Sequence, residues 1–421
     1  MIFDSFGQAQ SIFLWAGFVI ALIMGAVVNK TNFCTMGAVS DWVNMGDTGR
    51  LRAWLFAAAV AMLGVAVLEY LGLAKPDLAF PPYRSNQLVW LENLVGGLMF
   101  GVGMTLASGC GNKTLVRIGG GNLKSVMVFL VIAVIAYYMI NPFPNSDKTL
   151  FTILFYDWMR PAAVTLSTKQ DLGAIIGGEQ PALARLGLGV VIALLLIAFA
   201  LKSEDFRKSF DNVLGGLVVG LAVLAAWYVT SNIMVRAEGE TYTLQNFVAE
   251  QWDLLASPED VKPAQSAALS PQSYTFINPM GQTLGYAMGG FNKALITFGV
   301  MSVFGVVLGS FLWALISRSF KIEWFASLRD FINHLIGAIL MGFGGVLAMG
   351  CTIGQAVTGV STLAVGSIIT FVAIVLGSAI TMKVQYYKMV YESEATFYKA
   401  FITALVDMKL LPAGMRKLEA V

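Results

Sequence analysis

The chain has 421 residues, of which 57% are hydrophobic and only 12% charged, and its mean hydropathy is +0.72. Soluble domains carry about 25% charged residues, so a water-facing globule is excluded and an integral membrane protein is implied. A net charge of +2 with its basic residues scattered through the loops gives no sign of a nucleic-acid partner, and a single histidine argues against haem or a multi-histidine metal centre.

A membrane span needs about 20 mostly apolar residues. The first such run, 12–28, is too long for the apolar part of a signal peptide. It is followed by Asn29-Lys30 rather than by small residues, so it reads as a span. Runs at 53–73, 94–108, 125–140, 183–201, 213–230, 294–316, 335–350 and 362–382 bring the expected number of spans to nine. The third and the eighth are short and interrupted by glycine, and both end at Gly-Cys. The polar, proline-bearing stretches 141–182 and 231–293 read as external loop insertions. Within the first, the aromatic run 151–158 is expected to lie flat at the interface. Residues 383–421 read as a cytoplasmic C-terminal segment ending in a helix, and 1–421 as one membrane domain. With the N-terminus outside, eighteen of the 27 Lys and Arg residues, Lys113 among them, fall on the cytoplasmic side. The positive-inside rule therefore places the N-terminus outside and the C-terminus inside.

An internal repeat lies within these spans. Gly96, Gly101, Gly103, Leu106, Ala107, Gly109 and Cys110 match Gly337, Gly342, Gly344, Leu347, Ala348, Gly350 and Cys351 without a gap. A fainter copy, Asn212 to Leu217, echoes Asn93 to Leu98 but lacks the cysteine. In the nine-span order the two cysteine copies run in opposite directions, the signature of an inverted-topology repeat. The fold expected is thus all-α, with about nine transmembrane helices, short central re-entrant loops and inverted pseudo-symmetric repeats. Glycine repeats also serve close helix packing; the shared Gly-Cys ending is what that reading leaves unexplained.

The chain has three cysteines, Cys34, Cys110 and Cys351, each in a glycine-containing break between apolar runs. Their number and spacing give neither a disulfide framework nor a zinc ribbon. A helix that stops inside a membrane survives only where protein or a water-filled space borders it, and the helix that follows starts with free N–H groups that favour an anion. Asn32, Thr35, Gly109, Gly111, Asn112, Gly350, Thr352 and Gln355 flank the thiols as candidate solute-binding loop residues, with Thr114 a further neutral donor. Such a site attracts negative charge without a buried lysine. A buried neutral thiol is a weak, polarizable donor, and weak successive sites admit a solute yet release it. A single free cysteine often simply packs; three in matching breaks point to a route for a small sulfur-containing solute.

The segment Asn32-Phe33-Cys34-Thr35-Met36-Gly37-Ala38 and the two Leu-Ala-x-Gly-Cys segments ending at Cys110 and Cys351 resemble the YeeE/YedE sulfur-transport family. The resemblance covers roughly 17–141 and 278–382. It implies an inverted pseudo-symmetric fold that takes up thiosulfate across the bacterial inner membrane, with the family's three functional cysteines falling on Cys34, Cys110 and Cys351. Related members handle selenium compounds or other reduced sulfur species, and the long insert 231–293 departs from the compact members. No sulfur-carrier domain is appended, so an acceptor of the sulfur would be a separate cytoplasmic protein. The lipid bilayer and the anion are the partners implied, with no cofactor and no catalytic or metal-ligating residue.

Two rival classes lack their motifs. A membrane thiol oxidoreductase needs a close redox pair, commonly Cys-x-x-Cys, and a soft-metal transporter needs clustered thiolates. His334 and Glu69 are expected at the membrane interface, and Asp41 and Trp42 as anchors of the first cysteine loop. Gly119-Gly120-Gly121 is followed by no Gly-Lys-Ser/Thr, so no phosphate loop is implied.

Overall fold

The computed structural model describes residues 1–392 and 394–419. Its helices in chain order are α1 (Phe6–Thr31), α2 (Thr35–Ser40), α3 (Gly49–Tyr70), α4 (Trp90–Leu106), α5 (Gly111–Gly119), α6 (Leu123–Ile140) and α7 (Pro181–Lys202). Then follow α8 (Phe210–Asn232), α9 (Ile277–Met288), α10 (Phe298–Ile316), α11 (Leu328–Leu347), α12 (Val365–Val390) and α13 (Phe397–Asp407). Among the described residues nine helical segments are long and apolar enough to cross a membrane; α2 and α5 continue the first and third of them. In lipid a helix satisfies its own backbone, and local signals set where these begin. Asn122, Thr297 and Ser327 cap α6, α10 and α11 through side-chain oxygens, and Pro181 opens α7.

The spans close on one another through small residues rather than apolar bulk, because lipid tails are as apolar as leucine. A Cβ on Gly25 of α1 would stand 2.4 Å from the Val306 carbonyl oxygen of α10, and one on Gly101 of α4 would stand 2.2 Å from the Ile374 oxygen of α12. Backbone cannot swing aside as a side chain can. Gly101→Ala is therefore expected to destabilise the bundle by about 1–3 kcal/mol, read as a lower melting temperature in detergent.

Between α4 and α11 the contacts are reciprocal. A Cβ on Gly96 would lie 2.8 Å from the Gly344 oxygen, and one on Gly344 2.6 Å from the Gly96 oxygen; Gly103 and Gly337 meet in the same mutual way, at 2.7 and 2.6 Å. The two helices run antiparallel, with the first glycine of one on the third of the other.

Side-chain contacts sort the connections into two faces. The Met1 ammonium donates to the Asn232 oxygen at 2.7 Å, and Asn232 Nδ2 donates to the Leu73 oxygen at 2.5 Å. A strand β1 (Ile2–Phe3) pairs in parallel with Met234–Ala237, the first strand of a hairpin completed by Glu240–Thr243. These form the N-terminal face. On the opposite face Lys124 meets Asp330 at 2.8 Å and Lys30 meets Asp211 at 2.7 Å. The last span, α12, runs parallel to α4 and delivers α13 to that opposite face, where Tyr387 donates to Asp407 at 2.7 Å.

The segment 231–293 is a surface loop only in its first part. Residues 268–277 are buried, mostly without helix, and α9 returns along α6, where a Cβ on Gly281 would stand 2.8 Å from the Tyr137 nitrogen. The polar run escapes a hydropathy reading because neighbours satisfy it: Tyr274 donates to the Gly17 oxygen at 2.8 Å and Ser273 to the Val223 oxygen at 2.9 Å. Within 141–182, two short helices, Leu150–Leu154 and Tyr156–Met159, carry the aromatic run with Trp158 exposed.

Glu69, at the end of α3, belongs to an ion-pair network. It accepts from Arg84 at 2.5 and 2.9 Å and from Arg185 at 3.1 Å, while Arg185 also holds Asp171 at 2.7 Å. Asp77 joins through Arg84, Arg185 and Lys169 at 3.1–3.3 Å. Partial burial opposes its charge, but Arg84, Arg185 and Lys169 outweigh burial and hold its carboxyl below the usual value of 3.8. A depressed pKa stabilises the fold above the unfolded value and loses that contribution as pH falls through the folded one. Melting temperature is expected to fall below about pH 4, with a shallower fall in Asp77→Asn. His334, expected at an interface, is buried in the first turns of α11, its Nδ1 2.9 Å from the Asp330 oxygen.

Candidate functional site

All three cysteines occupy one local structure. Asn32, Ser108 and Met349 have φ of 49°, 58° and 56°, the left-handed conformation that ends a helix, and each cysteine follows two residues later. The cysteine carbonyl then opens a new helix, accepting from Ala38 at 3.0 Å, Thr114 at 2.9 Å and Gln355 at 2.8 Å. The two matching segments repeat each other bond for bond. Gly109 donates to the Met104 oxygen and Gly350 to the Gly345 oxygen, both at 2.8 Å; Ala107 and Ala348 donate to Gly103 and Gly344, both at 2.9 Å. Of the helices opened, α5 has 9 residues and α2 only 6. The latter runs on without a break to Met45, and the turn at Cys351 opens a further helical run, 353–362, so helix-start N–H groups follow all three thiols.

The thiols are free and buried, at 5%, 2% and 0% exposure for Cys34, Cys110 and Cys351. Cys110 stands between the other two, within electrostatic range of both. A Cβ on Gly111 would sit 3.6 Å from that of Cys351, which places the second break against the third. Asn32 Oδ1 accepts from Lys113 Nζ, which ties the first break to the second.

Polar atoms without partners mark the same region. Thr35 Oγ1, Asn112 Oδ1, Thr352 Oγ1 and Gln355 Oε1 are buried and unbonded, as are Thr275 Oγ1, Asn278 Oδ1 and the Tyr83 hydroxyl. Thr352 faces the Cys110 thiol without reaching hydrogen-bond geometry. Buried polar groups are ordinarily paired, so this lining is suited to a polar solute or water. Burial, with Cys351 close by, holds the Tyr83 phenol well above its usual pKa, so it stays a neutral donor. Thr114 is not available in this way, since its hydroxyl donates to the Cys110 oxygen at 3.1 Å. Gln355 keeps its oxygen free while Nε2 holds the Ala348 oxygen at 2.5 Å. Asn32 is exposed, and Gly109 and Gly350 are buried turn residues.

The expectation of a site without a buried lysine is corrected by Lys113. It lies one turn after Cys110 and is 9% exposed, and its ammonium has Asn32 as its hydrogen-bond partner among the described residues. Cys34, Cys110, Arg117 and Arg50 lie near it, and among the described residues no carboxylate makes a salt bridge with it. Local sequence places Lys113 beside a polar loop; its burial comes from lying in the first turn of α5, between the first and second breaks. Asp41 is buried and paired with Arg50, while Trp42 is exposed.

Cavities approach the thiols from both faces. On the N-terminal face one of about 350 Å³ reaches Met349, and a smaller one of about 20 Å³, room for a water, reaches Thr275. On the opposite face a cavity of about 320 Å³ reaches Met36 and Ser108. Between them the thiols are sealed. Among the described residues no group of three His, Cys, Asp or Glu is placed to hold a metal ion.

A family model described as sulphur transport matches residues 30–380. A thiosulfate transporter TsuA from Spirochaeta thermophila is 23% identical over 372 residues, covering 87% of this chain and 97% of that protein. One of the same name from Escherichia coli is 24% identical over 357 residues, covering 81% and 85%. The match spans all three cysteine breaks and most of the helical bundle, and it supports transport rather than catalysis: the chain belongs to the sulphur-transport family of membrane proteins.

Proposed function

We propose that the protein takes up thiosulfate across the bacterial inner membrane, past Cys351, Cys110 and Cys34 in turn. The observation that carries this reading is the recurrence of one break at each thiol, with unbonded polar atoms directly beside it. Tyr83, from the N-terminal face, neighbours Cys351, and exposed Asn32 on the other side precedes Cys34, so the order follows the bilayer normal. The excess of Lys and Arg on the opposite face supports a cytoplasmic C-terminus. The mutual glycine contacts of α4 and α11 support an inverted pair of repeats that brings the re-entrant breaks together, since a two-fold relation makes each contact occur twice. The relatives' names support thiosulfate as the solute.

In this mechanism the anion meets neutral donors at each stop and a buried cation, Lys113, at the middle one. Thiols and amides bind weakly enough for release; the ammonium offsets the loss of hydration in the middle of the path. A separate cytoplasmic sulfur-carrier protein would accept the anion at the far side. Labelled thiosulfate uptake in cells lacking other importers tests the reading, with vector-only cells as control. Uptake above the control supports it. Background uptake by well-expressed protein, with uptake of another reduced sulfur or selenium anion, would transfer the mechanism to that solute.

A further inference from the structure

The insertion 141–182 carries Arg160 to the cavity of about 350 Å³ on the N-terminal face, whose floor is Leu347 and Met349, immediately before Gly350 and Cys351. Beside Arg160 on the wall of this cavity is Glu92, in the first turn of α4. The pair lies at 3.1 Å, with side chains 36% and 6% exposed. Neither Arg160 Nε nor Glu92 Oε1 finds hydrogen-bond geometry. The two are therefore held by charge without the paired fork that makes an arginine–carboxylate contact strong.

What holds Arg160 in place is independent of Glu92. Its guanidinium lies 5.4 Å from the Phe151 ring centre and 5.9 Å from that of Tyr156, a cation–π setting. Trp90 Nε1 donates to the Ala162 oxygen at 2.8 Å, which ties the arginine's own turn to α4. The strand pair Gln87–Leu88 and Val164–Thr165 adds a second tie. The cation is thus fixed at the mouth while its counter-charge is exchangeable.

Resting on the uptake reading above, we infer that the first insertion builds an anion-capture site: Arg160 receives a small oxyanion in the cavity above the Cys351 turn. Its planar fork matches two oxygens of such an anion. Glu92 holds the fork when the site is empty and repels a bound anion, so capture stays weak and the solute moves on toward Cys351. The start of α4 supplies favourable end charge for Glu92 while Arg160 is engaged elsewhere.

The test is labelled thiosulfate uptake by the purified protein in proteoliposomes, as a function of solute concentration. Arg160→Gln is expected to raise KM about three- to tenfold with the maximal rate unchanged, because a mouth charge governs encounter. Glu92→Gln is expected to move KM in the opposite direction. Added salt is expected to raise the KM of the native protein more than that of Arg160→Gln. If Arg160→Gln fails to reach the membrane, Arg160→Lys carries the test: charge without the fork is expected to give an intermediate KM. Native KM in both Arg160→Gln and Glu92→Gln would overturn the capture site. That outcome is distinct from failure of the uptake reading, in which the native protein shows no saturable uptake at all.

Discussion

Cys110→Ala is expected to lower labelled uptake by about 10–100-fold while the protein still reaches the membrane. Cys110 is the middle thiol, flanked by both others, and it stands at the start of α5, whose free N–H groups favour an anion. Losing a hydrogen bond to a charged solute is worth about 1.5–3 kcal/mol, which sets the size of the loss if the barrier lies at that stop. Removing one sulfur from a buried position costs the fold far less than removing a large side chain, and Cys110 keeps its turn through backbone bonds that alanine also makes. Cys34→Ala and Cys351→Ala are expected to follow. Native uptake in all three at matched membrane expression would reduce the thiols to packing.

Lys113→Met should move function and stability in opposite directions. An ammonium buried without a carboxylate is expensive, and methionine keeps the apolar stem that lies against Gly109, 3.0 Å from its virtual Cβ. The lost hydrogen bond frees Asn32 Oδ1, but Asn32 is exposed and water replaces the lysine there. The melting temperature in detergent is therefore expected to be unchanged or higher. Uptake is expected to fall more than about tenfold, because the buried ammonium beside the thiols no longer offsets the dehydration of the anion. Such a trade of stability for activity is usual where a site holds a strained charge. A variant that loses stability and keeps transport would assign Lys113 to the fold alone.

The positions that the sequence made legible are those whose signal is local. Apolar runs of span length, the glycines of the α4 and α11 seam, and the three cysteine breaks can all be read within a few residues of themselves. Helix ends lie near the runs, although α11 begins at Leu328 and α8 at Phe210, earlier than hydropathy suggests. Thr35, Asn112, Thr352 and Gln355 were legible as polar residues beside a thiol; only the folded chain shows that each keeps an unbonded buried atom.

Lys113, Thr275, Asn278 and Tyr83 could not be read in this way. A lysine next to a polar loop and a lysine buried in a bundle have the same local sequence, and the difference lies in what packs around the start of α5. The run Ser270–Phe276 has no apolar period, so nothing in it announces burial; it is buried because Val223, Thr230 and Gly17, distant in the chain, supply its partners. Glu69 likewise becomes part of a network through Arg84 and Arg185. Composition and spacing by themselves determined the class, the nine spans and the three thiol breaks, because bilayer burial and helix termination act over a turn or a span. Which buried polar groups beside the thiols stand unpaired was decided by the tertiary structure alone, since a hydrogen bond or a buried charge depends on what the rest of the chain brings to it.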